Sequence, residues 1–395
     1  MIPAERRRVL VTGVGSTFVM FLCYLGLTPL YPIVASDLHT GPDGLGLLIG
    51  LSSLVSAVLQ IPIGVLADKV GRRPVISAGT VTLAASQLMR WGAHSPLLFG
   101  AAQAMLGVTL PLLTAAAYAA VADAYGARGK AEALGYLQAS TNVGQVAGFA
   151  LAAVFGTALG WKNLSLAFAL LPMALLPLAL SMPEPERRSS TGSVASLLRE
   201  AFRAIVQVEW AALALTAALA LGAGVAAIYL LPFLAQKEGM SASTTGLLLM
   251  PYIVGAVVGG PLVGSVADRL GARSPLLGVL GLGVTACLAL AIVGPTIPAV
   301  IICYTLIGAT VGATLSVAAA QIVHLAVGAG VGTGAALGGL RLGQGIGPSL
   351  GPAFAGVIFV NFGVRTSLMA TGGLLAVALI VAIRAVRSSP PVTTP

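Results

Sequence analysis

A ten-residue segment occurs twice in this chain. Residues 64–73 read Gly-Val-Leu-Ala-Asp-Lys-Val-Gly-Arg-Arg, and residues 264–273 read Gly-Ser-Val-Ala-Asp-Arg-Leu-Gly-Ala-Arg. Each copy carries charge and two glycines, and each stands between long apolar runs. Gly64, Asp68 and Gly71 recur as Gly264, Asp268 and Gly271 at one constant offset. A charged hinge at matching places in two halves of an apolar chain points to a fold built from structural repeats.

Composition sets the solvent of that fold. The chain is 57% hydrophobic and only 8% charged, whereas a soluble domain is about 25% charged. So few charges cannot cover a globular surface in water, so lipid must take its place. A membrane helix needs about 20 apolar residues. Twelve such stretches can be drawn, at 9–35, 42–66, 73–92, 96–121, 131–158, 161–181, 208–236, 243–266, 274–293, 296–324, 330–358 and 364–386. The short alternating strands of a β-barrel are missing. The expectation is an all-α membrane protein of twelve transmembrane helices in two pseudo-symmetric six-helix bundles. Residues 1–181 form the first bundle, 182–207 a linker, and 208–395 the second.

The net charge of +9 has a membrane explanation. With the N-terminus placed in the cytoplasm, that side holds Arg6, Arg7, Arg8, Lys69, Arg72, Arg73, Arg128, Lys130, Arg187, Arg188, Arg199, Arg203, Arg269, Arg273, Arg384 and Arg387. The outside holds Arg90, Lys162, Lys237 and Arg365. Basic residues kept in cytoplasmic loops orient a membrane protein, so both termini are expected inside, and nucleic acid is not needed to explain the charge. The arginines before the run from Val9 imitate a signal peptide. That run exceeds the about 7–15-residue signal core and reads as an uncleaved first span. Cys23, Cys287 and Cys303 fall in apolar spans, which suggests packing rather than a disulfide framework. No Cys/His cluster argues for a metal.

In the linker, Val194, Leu197, Leu198, Ala201 and Ile205 fall on one helical face, and Ser196, Arg199, Glu200 and Arg203 on the other. This reads as an amphipathic helix lying on the inner membrane surface. It is either a tether between moving halves or a solvated linker that limits their separation. The duplication also reaches beyond the hinge. Pro32 pairs with Pro232, Gly46-Leu47-Leu48 with Gly246-Leu247-Leu248, and Gly144-Gln145-x-x-Gly148 with Gly343-Gln344-x-x-Gly347. Glycines in apolar spans let helices approach closely.

These features resemble the major facilitator superfamily over essentially the whole chain. The family's loop signature between spans two and three is Gly-x-Leu-Ala-Asp-Arg-x-Gly-Arg-Arg/Lys. Here Gly64, Leu66, Ala67, Asp68, Gly71, Arg72 and Arg73 match it, and Lys69 replaces the usual Arg. Within the family the chain looks most like the twelve-span drug and metabolite efflux branch, which includes proton antiporters and multidrug-resistance transporters. Gly343-x-x-x-Gly347-Pro348-x-x-Gly351-Pro352 echoes that branch's Gly-Pro signature, although it lies in span eleven. In span five, the signature's usual place, Phe149 stands where the Pro would be.

The resemblance implies roles. Asp68, Arg72 and Asp123 would lock the cytoplasmic side in the outward-open state, with Asp68 facing the N-terminal end of span eleven, whose dipole favours an anion. The plainer alternative is a set of surface charge pairs worth about 0–1 kcal/mol. In the second copy Asp268 and Arg273 are present, but the place matching Asp123 lies near His324, with no acid. Spans one, four, seven and ten would line the substrate cavity. That nominates Tyr24, Thr28, Tyr31, Gln103, Thr109, Tyr229, Tyr304, Thr305 and Thr314. Span five adds a stripe of Gln138, Thr141, Asn142 and Gln145. Hydroxyls can bond their own helix backbone, whereas amides need several partners.

Arg341 lies about 11 residues into span eleven, roughly 16 Å deep at 1.5 Å per residue. Insertion scales put such a charge at about 2.5–3.5 kcal/mol. No Asp or Glu lies deep in any span. Two readings stand. Arg341 bonds carbonyls freed by Pro348 and Pro352, or it presents charge, with Gln344 on its face, to an anionic or carbonyl-rich substrate. Coupling has no obvious residue. The branch's span-one acid would fall near Thr28 and its span-four Arg at Gln103, Asp37 lies near a span end, and His324 is a lone titratable group.

The expected function is secondary active export of small amphipathic drugs or metabolites across the plasma membrane by alternating access. Proton coupling is expected from the resemblance. No cofactor beyond a proton gradient, no metal, no nucleic acid and a monomeric state complete the expectation. The alternatives are an importer of a sugar or organic acid, and a non-transport sensor. A membrane enzyme would need paired acids or His clusters, and the chain lacks the Gly-Lys-Ser/Thr phosphate loop of nucleotide-driven pumps.

Overall fold

The computed structural model describes residues 3–125, 129–184, 208–328 and 333–385, and every described element is helical. In chain order these are α1 (Pro3–Leu25), a 3-10 turn (Thr28–Leu30), α2 (Tyr31–Asp37), α3 (Pro42–Val70), α4 (Arg72–Trp91), α5 (Pro96–Ala124), α6 (Lys130–Leu180), α7 (Val208–Lys237), α8 (Ala242–Leu270), α9 (Arg273–Val293), α10 (Ile297–Gly328) and α11 (Thr333–Ala385). The amphipathic helix expected in the linker lies outside the described residues.

Helices are what a bilayer permits, because the backbone must satisfy its own hydrogen bonds there. Among the described residues nine helical stretches are long and apolar enough to cross a membrane. Two of them are kinked at a glycine with non-helical dihedrals: Gly160 in α6 has φ +72° and Gly363 in α11 has φ +81°. Each of these helices is long enough for two crossings. The 20-residue α4, with Arg72, Arg73 and Arg90, is too polar to be counted among the nine. Room for twelve crossings results.

The first span is not the continuous run expected at 9–35. It breaks after Leu25, passes through Gly26, Leu27 and the 3-10 turn, and resumes as α2. Pro29 and Pro32 cause the break, since neither has an N–H to continue the helical ladder. Trp161, just past the Gly160 kink, donates from Nε1 to Asp37 Oδ2 at 2.7 Å and fastens the end of the broken span.

The chain divides into two compact units. The first holds α1, α2, α3 from Leu51, α4, α5, α6, and the tip of α8 at Ala242–Gly246. Its core face on α1 runs Val9, Gly13, Thr17, Met20 and Cys23, all buried at helical spacing. The second holds Thr40–Gly50 at the tip of α3, α7, α8 from Leu247, α9, α10 and α11. A matched glycine pair accounts for both tips. A Cβ on Gly46 would strike the Pro352 carbonyl, and one on Gly246 would strike Phe149 and Ala153.

Candidate functional site

The first hinge copy forms a charged network in which three helices and the start of the linker meet. Arg72, at the start of α4, places Nη2 at 2.5 Å from Asp68 Oδ1 and 3.2 Å from Asp123 Oδ2. Its Nε also donates to Asp123 Oδ2 at 3.2 Å. The three residues nominated for gating are therefore in direct contact. Their side chains are only 12% (Arg72), 23% (Asp68) and 16% (Asp123) exposed. Such a network lies between two limits: about 0–1 kcal/mol for a fully exposed pair, and about 3–5 kcal/mol lost when one partner of a buried pair is removed.

Gly71 sets the turn that makes this possible. Its φ of +114° is open to glycine and closed to most other residues. The network has a fourth member, for which the sequence carries no signal. Glu184, at the beginning of the linker, accepts from the backbone N–H of Arg72 at 2.5 Å and of Arg73 at 3.0 Å. It caps the N-terminus of α4, where free N–H groups and the helix dipole favour an anion. A side chain at position 71 would meet its carboxylate at 2.8 Å.

The second copy is built differently. Gly271 again has positive φ, +81°. Among the described residues, however, Asp268 has no ion pair, and Arg273 donates from Nη2 to the Ile383 carbonyl at 3.1 Å. The residue before α9 is Ala272, with no side-chain cap. Gly64 and Gly264 both face open space. The side chain of His324 lies outside the described residues.

Arg90 was expected among the charges of an outer loop. It is instead buried, 2% exposed, and points into the first unit. Nη1 donates to the Cys23 carbonyl at 2.9 Å and to Gln87 Oε1 at 3.4 Å, and Nη2 to Gln103 Oε1 at 2.6 Å. Cys23 lies just before the break in the first span, so Arg90 takes a carbonyl that an unbroken helix would have used itself. The signal was available in the sequence. Ile76, Thr80, Leu83, Gln87 and Arg90 repeat every three or four residues, and all are buried.

The nominated polar residues fall into two groups. Several hydroxyls are spent on their own helices: Thr109 on the Met105 carbonyl, Thr141 on Leu137 and Thr305 on Ile301. Tyr304 is buried and donates to the Ala227 carbonyl at 2.7 Å, and Tyr229 donates to the Pro42 carbonyl. Thr28, Tyr31 and Thr314 are buried. Tyr24, by contrast, is half-buried, and its hydroxyl is 3.0 Å from Ser53 Oγ. Gln138 is exposed and accepts from Tyr118 at 3.1 Å. Asn142, Gln145 and Gln344 are half-buried, and among the described residues their amides make no hydrogen bond. The side chain of Arg341 lies outside the described residues, as does Gly343.

The helix-packing glycines have clear partners. A Cβ on Gly347 would strike the Ala218 carbonyl and one on Gly351 the Gly222 carbonyl, so α11 lies directly on α7 beside Pro348 and Pro352. Gly144 and Gly148 do the same for α6 on α1, against the carbonyls of Phe18 and Leu22.

Known proteins share this architecture. The structure is similar to the nucleoside transporter NupG, with TM-score 0.81 and 15% identity, over 95% of this chain and 98% of that one. It is also similar to an inward-facing, unoccupied bacterial homolog of the human lysosomal transporter Spinster, with TM-score 0.81 and 18% identity, over 98% of each chain. At such identities the likeness is one of fold. In sequence, the chain is 34% identical over 93 residues to the inner membrane transport protein YajR of Escherichia coli (strain K12) and 27% identical over 134 residues to the quinolone resistance protein NorA of Staphylococcus aureus (strain MRSA252). These matches cover 22% and 33% of this chain, and only 20% of YajR and 34% of NorA. The family model of the Major Facilitator Superfamily matches residues 13–340. The chain is thus a multi-pass membrane protein, and it belongs to the Major Facilitator Superfamily.

Proposed function

We propose that this transporter exports small amphipathic drugs or metabolites across the plasma membrane by alternating access, coupled to the proton gradient. It works as a monomer with both termini in the cytoplasm. The Arg72 bridge between Asp68 and Asp123 carries this reading. A network of charges at a helix turn can form in one state and part in another, and each state then has a definite electrostatic cost. The sparse amides and half-buried Tyr24 suit amphipathic ligands, which need much apolar contact and few polar anchors. The local similarity to NorA, a quinolone resistance protein, supports export.

The test is reconstitution of the full chain in liposomes under an imposed pH gradient, with amphipathic dyes and candidate metabolites followed over time. Gradient-dependent uphill flux is the expected result. Flux that ignores the gradient removes the coupling. No flux of any solute removes the export reading.

A further inference from the structure

A charge buried in low dielectric acts over a long range, because neither water nor salt screens it well. Among the described residues Arg90 is the only charged side chain that is buried. All its partners are neutral: the Cys23 carbonyl and the amide oxygens of Gln87 and Gln103. Its Nε is buried and has no hydrogen-bond partner. The described carboxylates are Glu5, Asp37, Asp43, Asp68, Asp123, Glu132, Glu184, Glu238 and Asp268, and each is exposed or half-buried. None is among the groups that Arg90 bonds. The interior of the first unit therefore holds an uncompensated positive charge, beside the half-buried Tyr24 and next to the break in the first span.

Holding the Cys23 carbonyl needs a donor, not a charge, and a neutral amide would supply one at lower desolvation cost. A retained cation in such a place marks a functional residue. We propose that the transporter carries neutral and anionic amphipathic molecules and rejects lipophilic cations, with Arg90 as the residue that sets this preference. Arg341, which the sequence places deep in span eleven, is also a cation. The inference rests on the export reading above and narrows its substrate class.

The test compares dyes of one scaffold and opposite charge in proteoliposomes of neutral lipid: a cationic rhodamine ester and an anionic carboxyfluorescein, with a neutral xanthene as reference. The wild type moves the anionic and neutral dyes and moves the cation at least about tenfold more slowly, equivalent to about 1.4 kcal/mol. Arg90→Gln shifts the anion-to-cation ratio by about tenfold towards the cation, and Arg90→Lys keeps the wild-type ratio. Gln103→Glu places a carboxylate against the guanidinium without removing it. It reproduces the shift and covers the case in which Arg90→Gln does not fold. The inference is overturned if the wild type carries the cation as fast as the anion. It is equally overturned if both neutralising variants slow every dye alike and leave the ratio unchanged, which is what a purely structural strap would do. A wild type that moves none of the dyes and no metabolite overturns the export reading itself.

Discussion

In the first half of the chain, Gly144 and Gly148 bring α6 onto the carbonyls of Phe18 and Leu22. In the second, Gly347 and Gly351 bring α11 onto those of Ala218 and Gly222. The hinges of the same two halves differ. Arg72 is held by two carboxylates and its helix is capped by Glu184, whereas Asp268 is exposed without an ion pair among the described residues and Arg273 meets a carbonyl. Duplication has preserved the packing of backbone on backbone, which any glycine at the contact satisfies. The charge chemistry, which needs several side chains at once, survives in one copy. The first hinge therefore holds its cation between two acids, and the second, among the described residues, does not.

The largest expected effect comes from taking the centre out of the first network. Arg72→Gln leaves two half-buried carboxylates without their shared cation and lowers uphill flux about a hundredfold, on the order of 3 kcal/mol. Flux within a few-fold of wild type would reduce the network to surface decoration. Next is the equality of packing. Gly144→Leu and Gly347→Leu each overpack a helix contact at about 1–3 kcal/mol. Both should lower the midpoint of thermal unfolding in detergent, by about 2–10 °C. A large drop in one half alone would break the likeness between them. Glu184→Ala removes a helix cap worth about 1 kcal/mol and lowers flux about fivefold. Glu184→Gln, which keeps acceptor capacity, falls between the variant and wild type. The smallest effect is Thr141→Val, whose hydroxyl bonds its own backbone. Dye flux should stay within about twofold, while Asn142→Leu on the same face changes it more.

Much of this was legible in the sequence because it is local or repeated. The twelve apolar stretches marked the helices, and the repeated segment marked both hinges. The family resemblance groups Asp68 and Arg72 of the loop signature with Asp123, and Arg72 contacts both acids. Hydroxyls carry the weakest signal for a cavity, since a Thr in an apolar helix can satisfy itself on the preceding turn, as Thr109, Thr141 and Thr305 do. Position near a span end suggests an outer-loop place for Arg90, which the structure corrects. Its helical phase with Leu83 and Gln87 showed it on the buried stripe. Glu184 had no comparable signal. It stands in a Pro-Glu-Pro-Glu run, and which glutamate folds back on α4 depends on the path of the chain after Leu180.

Pairing Asp68→Asn with Asp268→Asn tests the asymmetry of the two hinges most directly, with gradient-driven dye flux measured in the same liposome preparation at matched protein density. The account predicts that Asp68→Asn lowers uphill flux by at least about tenfold, less than the loss caused by Arg72→Gln. Asp268→Asn should retain it to within about threefold, as the loss of an exposed charge worth about 0–1 kcal/mol requires. Equal losses in the two variants would contradict it.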